Sequence, residues 1–258
     1  MYRFLLRPKW IAFHVLCLAV MVGMVNLGLW QLRRLDERQA FNARVTEHLQ
    51  ADAAPVADLL ALKPDDAEYR RAVIAGEFLP DREFLVVNVG QNGETGRNVV
   101  NALQLDDGSI LIVNRGFAPN GTPIPPAPTG RVEMVGVLKK SQHPRSGQPA
   151  DDGTQPLTEI RRVDLDALSQ QFDVQVAQMY AELRAYAGRD PDPGLQPVPS
   201  PSLDEGPHLS YAIQWFAFTV CVAAGWVLAI RKSARELAGL PPRRRSGPPP
   251  ILEDEPTF

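Results

Sequence analysis

Two uninterrupted apolar runs constrain this chain more than any other feature. From Trp10 to Trp30 the sequence is apolar except for His14 and Asn26. At 1.5 Å per residue these 21 residues span about 31 Å, enough to cross a bilayer core of about 30 Å. A second run, Tyr211 to Ile230, is uncharged and is stopped by Arg231-Lys232. A cleavable signal peptide would show a shorter apolar core followed by a small-residue cleavage site. Here the first run ends in Leu29-Trp30-Gln31-Leu32 with no Ala-x-Ala pattern, so it reads as an uncleaved anchor.

If both runs cross as a hairpin, Gly28 to Arg34 and Tyr211 to Phe216 lie at one membrane surface. One carries Trp-Gln leaving an apolar helix; the other carries Gln-Trp entering one. Basic residues near helix ends set orientation. No Lys or Arg occurs between Asp190 and Ile230, and Arg231, Lys232, Arg235 and Arg243-Arg244-Arg245 follow. The second helix therefore ends in the cytoplasm, although Arg33, Arg34 and Arg38 compete with Arg3, Arg7 and Lys9 at the first. Two spans then put both termini inside and the intervening domain outside. With no transit peptide ahead of the first anchor, the expected location is a bacterial plasma membrane.

The expected organisation is a cytoplasmic start (1–9), a transmembrane helix (10–32), an extracytoplasmic domain (33–207), a second transmembrane helix (208–230) and a Pro/Arg-rich cytoplasmic tail (231–258). Arg33 to Asp52 continues the first helix until Pro55 and Pro64 break it. The pattern then turns strand-like. Arg71 to Leu79 and Glu83 to Val89 read as strands about a Pro80-Asp81 turn, and Gly90 to Gly93 is a further turn. Asp106-Asp107-Gly108 joins Asn98–Leu105 to Ser109–Phe117 as a hairpin with a primed turn. Arg131 to Lys140, Leu157 to Val163 and Val174 to Tyr186 are further strands. Asp164 caps a short helix reaching Phe172. The fold class is a membrane protein of α+β type, with two transmembrane helices flanking an antiparallel β-rich domain that has minor helices.

Composition narrows the chemistry. A net charge of -3 lacks the basic excess of a nucleic-acid binder. The two cysteines, Cys17 and Cys221, both lie in the apolar runs, so the intervening domain has neither a disulfide framework nor a cysteine-based metal site. The acidic pairs Asp65-Asp66, Asp106-Asp107 and Asp151-Asp152 fall in loops, and no nucleophile set, phosphate loop or HExxH occurs. Nothing argues for catalysis.

His208, at the outer end of the second apolar run, is either a hydrogen-bonded interfacial histidine or a haem ligand. Trp30, Tyr211 and Trp215 are belt aromatics. Gln31 and Gln214 are amides that seek a partner at this depth, either each other or a ligand. Arg115, in Asn114-Arg115-Gly116-Phe117, either caps the sheet through a local carboxylate or binds an anion such as a haem propionate. His14 has either a packing or interface role or a ligating one, and His48 and His143 have no partner at metal-ligand spacing and read as solvated surface residues. The proline-rich stretch beyond Arg235 lacks the composition for a core.

Four motifs, in order between the two spans, resemble the Surfeit locus protein 1 family. They are Gly28-x-Trp30-Gln31-Leu32-x-Arg34, Tyr69-Arg70 leading to Gly76-x-Phe78, Val113-Asn114-Arg115-Gly116-Phe117-x-Pro119, and His208-x-x-Tyr211-Ala212-x-Gln214-Trp215-Phe216. The resemblance implies a non-enzymatic, two-pass assembly factor for aa3-type cytochrome c oxidase that holds or delivers haem a. Its implied partners are the catalytic oxidase subunit and haem a synthase. It implies His208 as haem ligand; the hairpin reading then has Trp30, Gln31, Gln214 and Trp215 line or brace the site, with Arg115 joining them if its loop reaches the membrane. Phe117 departs from the family's tryptophan and removes an indole N–H from that corner. Two other classes stay open: an accessory oxidase protein that binds no cofactor, and a membrane-anchored sensor.

Overall fold

The computed structural model describes residues 3–239. The Arg243 cluster and the tail around it lie outside the described residues. The chain divides into two compact units, Met1–Ala40 with Asp204–Phe258, and Phe41–Leu203.

In the first unit, a 3₁₀ turn (Arg3–Leu6) leads into the long helix α1 (Pro8–Gln50), and α5 (His208–Leu237) runs antiparallel to its first half. Proline at the first position of α1 costs nothing, because its missing N–H would be unpaired there. Both helices are long and apolar enough to cross a membrane, with 11% of the apolar window of α1 buried and 0% of that of α5. Helices that apolar and that little covered are not core helices of a soluble domain, and the chain is membrane-associated. Arg38 and Gln39 of α1 bond Asp204 O and Glu205 Oε2 at the approach to α5.

The second unit begins within α1, where Val45 is fully buried, Phe41 meets Tyr69 edge-on at 5.8 Å and His48 Nδ1 lies 2.6 Å from Glu68 O. Next come β1 (Ala54–Pro55) and two single-turn helices, α2 (Val56–Leu60) and α3 (Pro64–Ala67). The strands are β2 (Arg71–Gln91), β3 (Glu94–Leu105), β4 (Ile110–Pro119), β5 (Arg131–Lys140), β6 (Glu159–Ile160) and β7 (Val176–Tyr186), with α4 (Leu165–Ser169) before the last. They form one seven-stranded sheet in which six strands follow the order β1-β2-β3-β4-β7-β5 and β6 pairs with β2 off that path. Because β2 also pairs with β5, the five long strands close into a barrel. The closure removes the open edges that a flat sheet would present.

The sheet is mixed rather than antiparallel as expected. β4 and β7 run parallel, as do β1–β2 and β2–β6. The connection from β4 through β5 and α4 is long enough to return β7 in the same direction. Pro80-Asp81 is not a turn: β2 runs straight through it. Its register with β3 breaks between Phe78 and Glu83, so Pro80 sits where no ladder donor is required. At Asp106-Asp107-Gly108 only Gly108 has positive φ (83°), and Asp107 Oδ1 accepts from Ser109 N–H and Oγ at 2.9 and 2.6 Å. That is a three-residue loop. The two-residue primed turn falls at Asn92-Gly93, with φ of 52° and 83°. The strand expected over Leu157–Val163 shrinks to Glu159–Ile160, while Asp164 caps α4 by accepting from Asp166 N–H at 3.2 Å.

β4 is buried on both faces, which explains its unbroken apolar run. Leu111 and Val113 face the barrel interior with Ile74, Phe78, Leu103, Met134 and Leu138. Ile110 and Ile112 face outward under a second layer made by Ile160, Val163, Leu165 and Leu168. The Ser141–Gln175 connection thus gives the barrel a second core.

Candidate functional site at the helix hairpin

His208 is the first residue of α5, half-buried, and its Nδ1 lies 2.8 Å from Gln31 Oε1 on α1. A carboxamide oxygen can only accept, so Nδ1 carries the proton and the Nε2 lone pair is free. This is how metal-binding histidines are commonly held: one ring nitrogen donates to a neighbouring oxygen, and the other is turned toward the metal. Gly206, two residues earlier, has φ of 72° and no side chain; a Cβ there would stand 3.6 Å from His208 Nε2. Glycine satisfies the turn, and an added Cβ would only touch that edge of the ring.

The helices meet closely beside this bond. A Cβ on Gly28 would come within 2.7 Å of the Phe216 ring, and Ala212 is only 1% exposed. Small residues allow such an approach in an apolar medium, where packing and hydrogen bonds replace the hydrophobic effect. Trp30 and Tyr211 are each 46% exposed, as belt aromatics should be, and Trp215 packs edge-on against Phe218 at 6.1 Å. Gln31 does not pair with Gln214: its partner is His208, and Gln214 is exposed on α5. The antiparallel register places residue 208, a turn and a half before 214, opposite residue 31.

A second clasp closes the other end. Trp226 Nε1 donates to His14 Nδ1 at 2.8 Å, and His14 stacks in turn on Trp10, which meets Phe4 edge-on. Gln31 and His14 are 17 residues apart on α1, and His208 and Trp226 are 18 apart on α5. Those separations amount to about 26 and 27 Å of helix, so two side-chain clasps bracket a length close to a bilayer core. Cys17 is buried, Cys221 is exposed, and both are free thiols.

Arg115 has a different setting, wholly within the barrel unit. Val99 pairs with Gly116 and Val100 with Asn114, so Arg115 is the extra residue of a β-bulge. The bulge re-aims its side chain. Its Nε donates to Asp192 Oδ2 at 2.9 Å, and its other donors reach Asn101 Oδ1 and the carbonyls of Pro125 and Pro126 at 3.0–3.2 Å. The side chain has 0% exposure and Asp192 has 2%. Tyr186 donates its hydroxyl to the same Asp192 oxygen, and burial together with that carboxylate pushes the phenol above its ordinary value. Gly116, at φ 148°, lets Gln196 O approach to where a Cβ would meet it at 2.7 Å, and Phe117 is completely buried. The Asn-Arg-Gly-Phe motif therefore fastens the proline loop after β4 and the segment around Asp192 to the barrel. Its long-range carboxylate, Asp192, has no local sequence signal.

Several other titratable groups of this unit form ion pairs. Asp65 accepts from Lys140 at 2.7 Å and Asp151 from Arg161 at 2.8 Å, while Asp106 pairs with Arg131. His143 is not partnerless: Asp164 and Asp166 lie 3.9 and 3.7 Å from its Nδ1, although its side chain is 62% exposed. Burial raises Glu182, which Arg184 and Lys139 partly offset.

An antiparallel pair of membrane-length helices and a closed β-barrel of mixed pairing define the class: a membrane-associated protein of α+β type. The family model described as the SURF1 family matches residues 18–220. An "Uncharacterized SURF1-like protein" of Mycobacterium tuberculosis strain H37Rv is 31% identical over 254 residues, covering 93% of this chain and 91% of its own length. A "SURF1-like protein" of Rickettsia felis is 27% identical, covering 80% of this chain and 91% of its own length. One from Caenorhabditis elegans is 22% identical, with 87% and 76% covered. The chain belongs to the SURF1 family.

Proposed function

We propose that the chain is a non-enzymatic, two-pass assembly factor for aa3-type cytochrome c oxidase that holds haem a through His208 Nε2. The observation that carries this reading is the 2.8 Å contact between His208 Nδ1 and Gln31 Oε1, which fixes the tautomer a metal ligand needs. The residues would suit ligation of the iron by one imidazole nitrogen: Nε2 has no hydrogen-bond partner among the described residues, and Trp30, Tyr211 and Trp215 supply aromatic surface at the same end of the hairpin. When bound, haem a would supply an iron centre in transit to the oxidase. The chain's part is to bind that centre with His208, to orient the imidazole with Gln31, and to hold both on rigid helices. Arg115, fully engaged inside the barrel, has no part in the ligand set in this reading, and neither has exposed Gln214.

The positive residues after α5 support a topology with both termini cytoplasmic and the barrel outside, in a bacterial plasma membrane. The catalytic oxidase subunit and haem a synthase are the expected partners. The test is the absorption spectrum of the full chain purified from cells that make haem a. A haem band that disappears in His208→Ala supports the proposal. A haem-free protein that still co-purifies with oxidase subunits overturns it in favour of an accessory protein that binds no cofactor.

A further inference from the structure

A second concavity lies on the barrel and is built on a different irregularity. Between Val86↔Asn98 and Val89↔Gly96 the ladder of β2 and β3 slips, leaving Val87 and Asn88 opposite the single residue Arg97. Asn88 sits at φ 60°, a conformation that costs a non-glycine residue free energy and clusters at functional sites. The two bulged residues and Arg97 line a hollow of about 360 Å³ together with Thr95, Asn120 and Glu159. That size lies within the range of small-molecule pockets. Gly96 makes the close strand approach beneath it: a Cβ there would meet Ala118 O at 2.2 Å.

Arg97 is the unusual member. Its Nε is shut off from water and has no hydrogen-bond partner, and no ion pair or ring contact engages its guanidinium among the described residues. A buried donor without a partner costs free energy, and native proteins rarely leave one so. Every arm of Arg115 is satisfied, whereas Arg97 Nε shares its lack of a partner, among arginine nitrogens of the described residues, with Arg70 Nε. Arg97, Asn88, Asn120 and Thr95, all residues whose side chains carry donors, line one hollow, and such donors recognise a carboxylate or phosphate. Glu159 adds one acceptor, which suits a hydroxyl or ammonium on the same ligand and disfavours a bare anion.

We propose that this bulge pocket binds a small solute carrying an oxyanion, carboxylate or phosphate, next to a hydroxyl or ammonium group, with Arg97 as the anion-binding residue. It is independent of the haem reading and survives that reading's failure. The test is hydrogen-exchange mass spectrometry of the full chain in detergent micelles with glycine, acetate or inorganic phosphate, at ionic strength matched with sodium chloride. At least one probe should slow exchange saturably in the segments holding residues 86–98 and Asn120. Arg97→Gln should weaken that effect at least about tenfold, as loss of a charged, forked donor does. Arg97→Lys should retain part of it, and Glu159→Gln should weaken glycine relative to acetate. No hydrogen bond, ion pair or ring contact of the Arg97 side chain is lost in Arg97→Gln among the described residues, so this variant should show wild-type exchange elsewhere. No localised protection with any of the three probes, or protection equal in Arg97→Gln, overturns the proposal.

Discussion

His208 Nδ1 and Gln31 Oε1 meet at 2.8 Å although 177 positions separate them in the chain. The contact joins the first turn of α5 to the middle of α1 and fixes both the helix register and the imidazole tautomer. If His208 holds haem, Gln31 is its positioning residue. Gln31→Ala should weaken haem retention about 10- to 100-fold while leaving the band position close to wild type. Gln31→Glu should retain haem and shift its potential downward, because a carboxylate makes the imidazole a stronger donor to iron. A spectroelectrochemical titration reads both; equal haem loss in the two variants would show Gln31 to be merely structural.

The Gly28–Phe216 contact sets the distance between the helices. Gly28→Val must displace the Phe216 ring, a strain of about 1–3 kcal/mol. The double variant Gly28→Val/Phe216→Ala should recover part of the loss. All four tryptophans, Trp10, Trp30, Trp215 and Trp226, belong to the hairpin unit, so tryptophan emission during denaturation reports on it alone.

At the other end, Trp226→Phe keeps the ring and deletes the N–H that His14 accepts. The expected cost is about 0.5–1.5 kcal/mol, the ordinary worth of one hydrogen bond between membrane helices. His14→Ala in the Trp226→Phe background should cost little more in hydrogen bonding, leaving only lost packing. A double-mutant cycle on the same emission signal checks this.

Within the barrel, Arg115→Met leaves the Asp192 carboxylate, 2% exposed, with only the Tyr186 hydroxyl and the half-exposed Arg189 at 3.7 Å. Removing one partner of a buried pair costs about 3–5 kcal/mol. The barrel should therefore unfold at much lower urea, followed by far-ultraviolet circular dichroism because it contains no tryptophan. Arg115→Met/Asp192→Leu, which removes both charges, should recover a substantial part.

Glu182 gives the barrel a pH dependence. Burial raises its carboxyl above the ordinary value of 4.5, with Arg184 3.0 Å away as partial compensation. A group raised on folding holds its proton more tightly in the native state, so its contribution is full below the unfolded value and is lost as pH rises through the folded one. Glu182→Gln should thus gain stability relative to wild type as pH rises from about 4 to about 7, a trend that urea midpoints at each pH would show. A difference constant with pH would refute the assignment.

Read alone, the sequence determined the two membrane-length helices, the β-rich centre and most strand positions. Those features are written locally: twenty-odd apolar residues suit a bilayer, alternation suits a strand, and a caplike aspartate starts a helix. Tertiary structure decided the pairings. Gln31 meets His208 rather than Gln214, because the antiparallel register is set by Gly28 against Phe216 and by His14 against Trp226. Arg115 is consumed by Asp192, 77 residues away, because a bulge turns its side chain into the fold. Pro80 lies inside a strand because the ladder breaks where it sits, and the sheet is mixed because a closed barrel must bring β7 back beside β4. Each of these depends on which distant backbone lies alongside, and no local pattern of residue types encodes that.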